Sequence, residues 1–147
     1  MRIEIFHVDS FAKTLFTGNP AAVCILPSWI SDDYLCKIAA ENNLSETAYL
    51  VPSGDNYEIR WFTPTTEVDL CGHATLASGY VISRFFNPNV RSIRFSSKSG
   101  PLAVRCENDS LVLDFPVQPG RLIENSELVS RALGFAPTES LVSAALS

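Results

Sequence analysis

The sequence predicts an α+β fold in which a mostly antiparallel sheet curls around one central helix. Strand-like segments outnumber helical ones, and the helical segment from Cys71 to about Phe86 has strand-like segments on both sides of it in sequence. One face of that segment carries small residues, which permit close packing and therefore a deep position. The residues of this face are Ala74, Ala77, Ser78 and Val81.

The first part of the chain predicts two strands joined by a loop and then a short amphipathic helix. The strands are "RIEIFHV" and the apolar run 21–26, separated by a turn at Gly18 to Pro20. Ser31 is the predicted N-cap of the helix, because two aspartates follow it in the first turn. Asn42 and Asn43 mark the end of the helix.

The remaining strands and helices follow from alternating and turn-forming residues. "TAYLV" and "YEIRWFT" predict a hairpin across Ser53 to Asn56, and three more strands are predicted in "SIRFSS", "PLAVRCE" and "SLVLDF". "NSELVSRALG" predicts a helix closed by Gly134. The final "TESLVSAALS" has no clear partner in the chain.

Length and charge exclude several classes of protein. The 147 residues suit one domain with a substantial core, and the net charge of −5 without a Lys/Arg cluster is unfavourable for nucleic acid or an anionic membrane. Glu4 and Asp9 interrupt the stretch where a signal peptide would be apolar, and no run approaches membrane-spanning length. We therefore expect a cytoplasmic protein.

The cysteines and histidines do not have the spacing of a metal site. The four cysteines lie far apart with no C-x-x-C pair, and the chain has only two histidines. Zinc sites normally draw their ligands from closely spaced pairs, so we expect no metal. Three of the cysteines are expected to be small buried thiols, namely Cys24, Cys36 and Cys106.

Two segments carry residues suited to acid/base chemistry. Glu46 in "NNLSETAYL" lies between the short helix and a strand, and it could act as a general acid or base if burial raised its pKa. Gly72 and His73 in "LCGH" begin the central helix, whose unpaired backbone N–H groups could bind a carboxylate. Each segment alone also fits an ordinary structural role: a solvated glutamate, a glycine for close packing and a histidine that caps its own turn.

Several segments together resemble one known family. "FHVDSF", "FTGNPAAV", "NLSETAYL" and "RWFTPTTEVDLCGHATLAS" occur in the order and at the separations of the N-terminal half of the phenazine-biosynthesis PhzF-like isomerase/epimerase family. The resemblance covers about residues 1–134, which we expect to form an N-terminal PhzF-like domain, with 135–147 as a C-terminal tail. It implies a diaminopimelate epimerase-like fold: two pseudo-symmetric domains, each wrapping a barrel-like sheet around a central helix, with the active site between them.

The resemblance also implies a function and the residues that perform it. The best-known activity of the family is a cofactor-free isomerisation that moves a proton and a double bond in a small carboxylate-bearing substrate. Carried onto this sequence, Glu46 matches the acid/base, and Gly72 and His73 match residues of the substrate pocket. No cofactor is expected.

Cys71 offers an alternative base. In related epimerases and proline racemases a cysteine followed by glycine at this helix start is a thiol base, and Cys71-Gly72 resembles that arrangement. A helix N-terminus lowers the pKa of a thiol, which would favour the thiolate. Glu46 is nevertheless the predicted base.

The chain has about half the length typical of the family. The glycine- and serine-rich helix start of the second domain, with the aspartate that precedes it, does not occur after Phe115. The expected explanations are a fragment of a longer protein, a split enzyme with a separate second chain, or a homodimer. Two identical halves would not supply the aspartate, so the homodimer is the less favoured. The competing hypothesis for function is a catalytically incomplete half-domain that self-associates or pairs with a separate chain.

Overall fold

The computed structural model of the chain describes residues 2–108, 110–115, 120–123, 127–138 and 140–142. These residues belong to two compact units, Met1–Phe115 and Pro116–Ser147. The predicted domain limit at residue 134 stays a prediction. No helix among the described residues is long and apolar enough to cross a membrane.

The first unit contains an 8-stranded sheet. Its strands in chain order are β1 (Ile5–Ser10), β2 (Asn19–Ile25), β3 (Glu46–Ser53), β4 (Asn56–Phe62), β5 (Glu67–Val68), β6 (Ser92–Ser97), β7 (Gly100–Glu107) and β8 (Ser110–Asp114). Their spatial order is β1-β2-β3-β4-β6-β7-β8, and β5 pairs with β4. The predicted hairpin is confirmed, since β3 and β4 are antiparallel with Ser53 opposite Asn56.

Two helices connect strands of this sheet and explain its two parallel pairings. Helix α1 (Asp32–Asn42) joins β2 to β3, and helix α2 (Gly72–Val81) lies between β4 and β6 in the chain. The pairs β2–β3 and β4–β6 are parallel, whereas the other pairings in the sheet are antiparallel. A parallel pair needs a crossover of a dozen or more residues, which each helix provides. Because the other pairings in the sheet are antiparallel, the predicted mostly antiparallel sheet is confirmed.

The sheet curls around α2, as the sequence predicts. α2 contacts β1 and β8 at the two edges of the sheet and also β2, β3 and β7. Its four predicted core residues are fully buried. Gly79 lies so close to β7 that a Cβ there would come within 2.7 Å of Val104 Cγ1. The α-helix ends at Val81 and continues as a π-helical turn, Ile82–Phe86, instead of the predicted regular helix to Phe86.

The strands next to α1 bury both of their faces. Alternate residues of β3 point in opposite directions, so that Leu50 belongs to the core around α2 and Tyr49 to a second core under α1. All four cysteines are free. Cys24 is buried as predicted, but Cys36 and Cys106 are only half-buried, because each lies at the margin of a core.

The second unit contains a helix and a small sheet. Helix α3 (Glu127–Leu133) is closed by Gly134, which has a φ of +78° and donates its N–H to Ser130 O at 2.9 Å. This confirms the predicted helix end. Strands β9 (Arg121–Ile123) and β10 (Ser140–Val142) pair antiparallel. The expectation that the C-terminal segment has no partner in the chain was wrong, because β9 is too short for its strand pattern to stand out in the sequence.

Candidate active site

The candidate site lies where the start of β3 meets the start of α2. Glu46 is the first residue of β3, and its parallel register with β2 places it opposite Ala21. Since β2 also contacts α2, the first turn of that helix comes close to Glu46. Donor atoms of Glu46, Cys71 and His73 all lie within 4.8 Å of one another. The structure thus brings together the predicted base, the alternative base and a predicted substrate-binding residue.

His73 stands between the other two side chains. Its Nε2 lies 3.3 Å from Glu46 Oε2, and its Nδ1 lies 3.4 Å from Cys71 Sγ. The His73 side chain is 11 % exposed and that of Glu46 is 21 % exposed. A neutral imidazole has one N–H donor and one acceptor nitrogen, so it can donate to only one of these neighbours at a time.

One oxygen of the Glu46 carboxylate is buried without a hydrogen-bond partner among the described residues, although the side chain as a whole is partly exposed. Within the described residues, Glu46 Oε2 has no hydrogen-bond partner, since its contact with His73 lacks hydrogen-bond geometry. Buried polar atoms are nearly always paired, and an unpaired one costs about 1–3 kcal/mol. The carboxylate therefore keeps a lone pair available for a proton or a ligand.

Two serines support His73. Ser10 at the end of β1 is buried and donates its hydroxyl to the backbone oxygen of His73 at 2.6 Å. The Ser45 hydroxyl lies 3.3 Å from His73 Nε2 and also 3.3 Å from the Pro20 oxygen to which it donates. Neither serine stands out in the sequence by itself, although both lie inside segments that resemble the family, "FHVDSF" and "NLSETAYL".

The surroundings of Gly72 differ from a glycine left open for a ligand. A Cβ at this position would lie 2.7 Å from the ring of Phe115, the last residue of the first unit. The missing side chain therefore lets the ring pack against the helix start. The role of Gly72 in substrate binding stays a prediction that depends on its backbone N–H.

Burial dominates the acidity of Cys71. It raises the pKa of the Cys71 thiol to about 12, the Ala74 backbone N–H opposes the rise, and the negative charge of Glu46 adds to it. The expectation that the helix start would favour the thiolate is thus outweighed by desolvation. Cys71 is a protonated thiol near neutral pH, and its role as an alternative base stays a prediction.

A groove of about 610 Å³ lies beside the site without containing it. It runs between β1 and α2 and is lined in part by His7, Asp9, Ser10 and Tyr80. None of the three clustered side chains lines this groove. Ser10 belongs to both features, since its hydroxyl binds the backbone of His73.

Comparison with known proteins identifies the family. The sequence profile described as "Phenazine biosynthesis-like protein" matches residues 8–129. The chain belongs to this PhzC-PhzF family. It is 48 % identical over 141 residues to an uncharacterized isomerase of Pseudomonas aeruginosa, covering 96 % of this chain and 54 % of that protein. The chain thus spans about half the length of the curated relatives it matches.

Solved structures confirm the fold expected of a phenazine biosynthesis-like protein. A PhzF-family protein of Enterococcus faecalis matches with a TM-score of 0.89 and 42 % identity, over 97 % of this chain and 55 % of that one. A hydroxyproline epimerase of Agrobacterium vitis matches with a TM-score of 0.53 and 12 % identity, over 84 % of this chain and 46 % of that one, which shows a shared fold alone. The predicted epimerase-like architecture is confirmed.

Proposed function

We propose that this chain supplies the proton-transferring half of an isomerase that acts on a small carboxylate-bearing substrate without a cofactor. Its similarity to relatives named as isomerases and its epimerase-like fold support the class of reaction. The observation that carries the proposal is Glu46 Oε2, a buried carboxylate oxygen without a hydrogen-bond partner among the described residues.

Glu46 is the proposed acid/base. Its free lone pair would accept a proton from one substrate carbon and return it to another, so that the carboxylate is regenerated in each cycle. His73 Nε2, 3.3 Å from Glu46 Oε2, would contact a polar group of a substrate bound next to the carboxylate. Ser10 would fix the backbone of His73 and thereby the direction of the imidazole.

The start of α2 is the proposed binding site for the substrate carboxylate. α2 has 10 residues, and the N–H groups of its first turn lack partners within the helix. These N–H groups and the helix dipole favour an anion at this end. Gly72 and His73 would donate their backbone N–H groups from a position next to Glu46.

Cys71 is better suited to donating a proton than to removing one from the substrate. Because burial raises its pKa to about 12, the thiol can donate a proton near neutral pH but cannot readily remove one. A mechanism with Cys71 as the base would therefore need a substrate that lowers this pKa.

The proposal includes a complementary half, because the chain spans about half the length of its relatives. A further segment of the same protein, a separate chain or a second copy of this chain could supply it. The cytoplasm remains the predicted location, and nucleic acids and membranes are not among the predicted partners.

The test is the exchange of carbon-bound hydrogen for solvent deuterium. The chain would be incubated in D₂O with small carboxylic acids that carry an acidic C–H bond, alone and mixed with the half of the Pseudomonas aeruginosa relative that it does not match. NMR would follow deuterium at carbon. Glu46→Gln should lower exchange by roughly 10²- to 10⁴-fold, the usual contribution of general acid/base catalysis.

Glu41→Gln is the matched control, because Glu41 is an exposed glutamate of α1. It should leave the exchange rate unchanged. Exchange that continues at the parental rate in Glu46→Gln would remove Glu46 from the mechanism, and exchange lost in Cys71→Ser alone would assign the base to the thiol.

A further inference from the structure

The three clustered side chains differ in chemistry but converge on one space. Glu46 offers a carboxylate oxygen, Cys71 a sulfur and His73 an imidazole nitrogen, all within 4.8 Å of one another. Each is largely buried, and the carboxylate oxygen has no hydrogen-bond partner within the described residues. The spacing along the chain hides this set, because Glu46 lies 25 residues before Cys71 and reaches it only through the fold.

This set of donors matches the preferences of zinc. Zn²⁺ binds thiolate, imidazole and carboxylate ligands, whereas Mg²⁺ and Ca²⁺ prefer oxygen ligands throughout. Zinc sites with three protein ligands keep a fourth position open for water or another small ligand. A set of one sulfur, one nitrogen and one oxygen donor is therefore best suited to this open kind of site.

Only a small movement of the three side chains would bring their donor atoms to the separations found around zinc. Zinc–ligand bonds of about 2.0–2.3 Å place tetrahedral ligand atoms about 3.3–3.6 Å apart. Cys71 Sγ and His73 Nδ1 are already 3.4 Å apart. All three donor atoms lie within 4.8 Å of one another, so the widest of their separations has to shorten by at most about 1.5 Å.

A supporting partner for the histidine is also present. Metal-bound histidines usually use their second nitrogen in a hydrogen bond, which fixes the ring. His73 Nε2 lies 3.3 Å from both Glu46 Oε2 and the Ser45 hydroxyl, so with Nδ1 and Glu46 bound to the metal it would keep the Ser45 hydroxyl as its partner. Ser45 in turn donates to the Pro20 oxygen at 3.3 Å.

We propose that Glu46, Cys71 and His73 form a three-ligand site for Zn²⁺ whose occupancy blocks proton transfer by Glu46. Binding converts the Cys71 thiol to a thiolate, and the displaced proton passes to solvent. The metal takes the Glu46 oxygen that would otherwise accept the substrate proton. Metal binding stands on the geometry alone, whereas the block on catalysis rests on the proposed function.

Cobalt provides a direct test of the ligands. Co²⁺ replaces Zn²⁺ in such sites, and a cobalt–thiolate bond gives strong charge-transfer absorption in the near ultraviolet. The metal-free chain titrated with Co²⁺ should develop this band with one equivalent of metal, and Zn²⁺ should abolish it. Absence of the band in the parent chain overturns the proposal.

Variants assign the ligands. Cys71→Ser should lose the band, and Glu46→Gln and His73→Asn should weaken Zn²⁺ binding by at least 100-fold, more than the roughly 10- to 100-fold expected for the supporting Ser45→Ala. Cys106→Ser and His7→Asn are matched controls from outside the cluster and should bind as the parent does. A band that persists in Cys71→Ser overturns the assignment.

Two further measurements keep the outcome clear. Should Cys71→Ser fail to fold, the other three cysteines are tested instead. Retention of the band in Cys24→Ala, Cys36→Ser and Cys106→Ser assigns the thiolate to Cys71, and loss of the band in any of these folded variants overturns the proposal.

Absence of deuterium exchange with the metal-free parent chain would refute the proposed function without affecting the cobalt band. Exchange that proceeds unchanged in the zinc-loaded chain would refute the block on catalysis.

Discussion

Two glutamates of the same unit are similarly buried but have opposite surroundings. The Glu67 side chain is 15 % exposed and that of Glu46 is 21 % exposed. Arg60 binds both oxygens of Glu67 at 2.7 and 2.8 Å, and Lys98 adds a second cation. Glu46 Oε2 lies 3.3 Å from His73 Nε2 but has no hydrogen-bond partner among the described residues.

The difference shows how one residue type serves stability in one place and chemistry in another. Arg60 hydrogen bonds are the main reason that the pKa of Glu67 falls to about 2, so its carboxylate stays charged and its lone pairs stay occupied. Such a group has no capacity left for substrate. At Glu46 a lone pair of Oε2 is free, and the folded state is stable despite the free-energy cost of an unpaired buried oxygen.

The largest expected effect concerns Cys71, the thiol next to Glu46. Because burial raises the pKa of Cys71 to about 12 from its ordinary value of 9.0, little thiolate exists near pH 8. Iodoacetamide should label Cys71 roughly 10²- to 10³-fold more slowly than a free thiol, with a rate that still rises above pH 9.

Peptide mapping by mass spectrometry gives the rate at each cysteine, with the half-buried Cys36 and Cys106 as references in the same chain. Glu46→Gln should speed the labelling of Cys71, since the charge of Glu46 contributes to the raised pKa. Labelling of Cys71 at the rate of Cys106 would contradict the account of this thiol.

Removing the paired carboxylate should destabilise the fold. Glu67→Gln leaves Arg60 with Asp32, 2.9 Å away, as its remaining carboxylate partner among the described residues. We expect the free energy of unfolding to fall by about 2 kcal/mol, less than for a fully buried pair. Urea unfolding followed by tryptophan fluorescence would measure this fall.

Glu46→Gln tests whether the unpaired Glu46 contributes less to stability than the paired Glu67. It removes an unpaired buried charge, so the free energy of unfolding should stay within about 0.5 kcal/mol of the parent or rise. An equal loss in both variants would mean that Glu46 is as structural as Glu67.

Acid should weaken the ion pair between Arg60 and Glu67. The pKa of Glu67 is lower in the folded chain, about 2, than its ordinary value of 4.5, so its contribution to stability is present above pH 4.5 and disappears as the pH falls toward 2. After discounting for screening by solvent, we expect about 1–2 kcal/mol to be lost over this interval. In Glu67→Gln this part of the acid dependence should be missing, as unfolding curves between pH 5 and pH 2 would show.

The smallest expected effect belongs to Ser10. Ser10→Ala removes one buried hydrogen bond to the backbone of His73, worth about 1 kcal/mol in the free energy of unfolding. Deuterium exchange should also fall, but by far less than in Glu46→Gln, because Ser10 acts only through the position of His73. A loss of exchange as large as that in Glu46→Gln would place Ser10 in contact with the substrate.

The parts of the fold that depend on nearby residues could be predicted from the sequence. The small residues of α2 predicted a buried helix, and Gly54 marked the turn of the β3–β4 hairpin, where its φ is +60°. Motif resemblance singled out Glu46 and His73, which the structure places 3.3 Å apart.

The remaining features depend on contacts between distant parts of the chain. The parallel pairings, the approach of Phe115 to Gly72 and the support of His73 by Ser10 all join residues that no local pattern connects. The acidity of Cys71 was misjudged for the same reason. A helix start is visible in the sequence, but the burial that outweighs its effect is not.

The measurement that tests the central claim most directly is deuterium exchange in Glu46→Gln and Glu67→Gln side by side. Both variants exchange a glutamate carboxylate for an amide at similar burial, so they differ mainly in whether the carboxylate was paired. We predict that exchange is lost in folded Glu46→Gln and retained in Glu67→Gln under conditions where that variant is folded. Retention of exchange in Glu46→Gln would contradict the claim that the unpaired carboxylate transfers the proton.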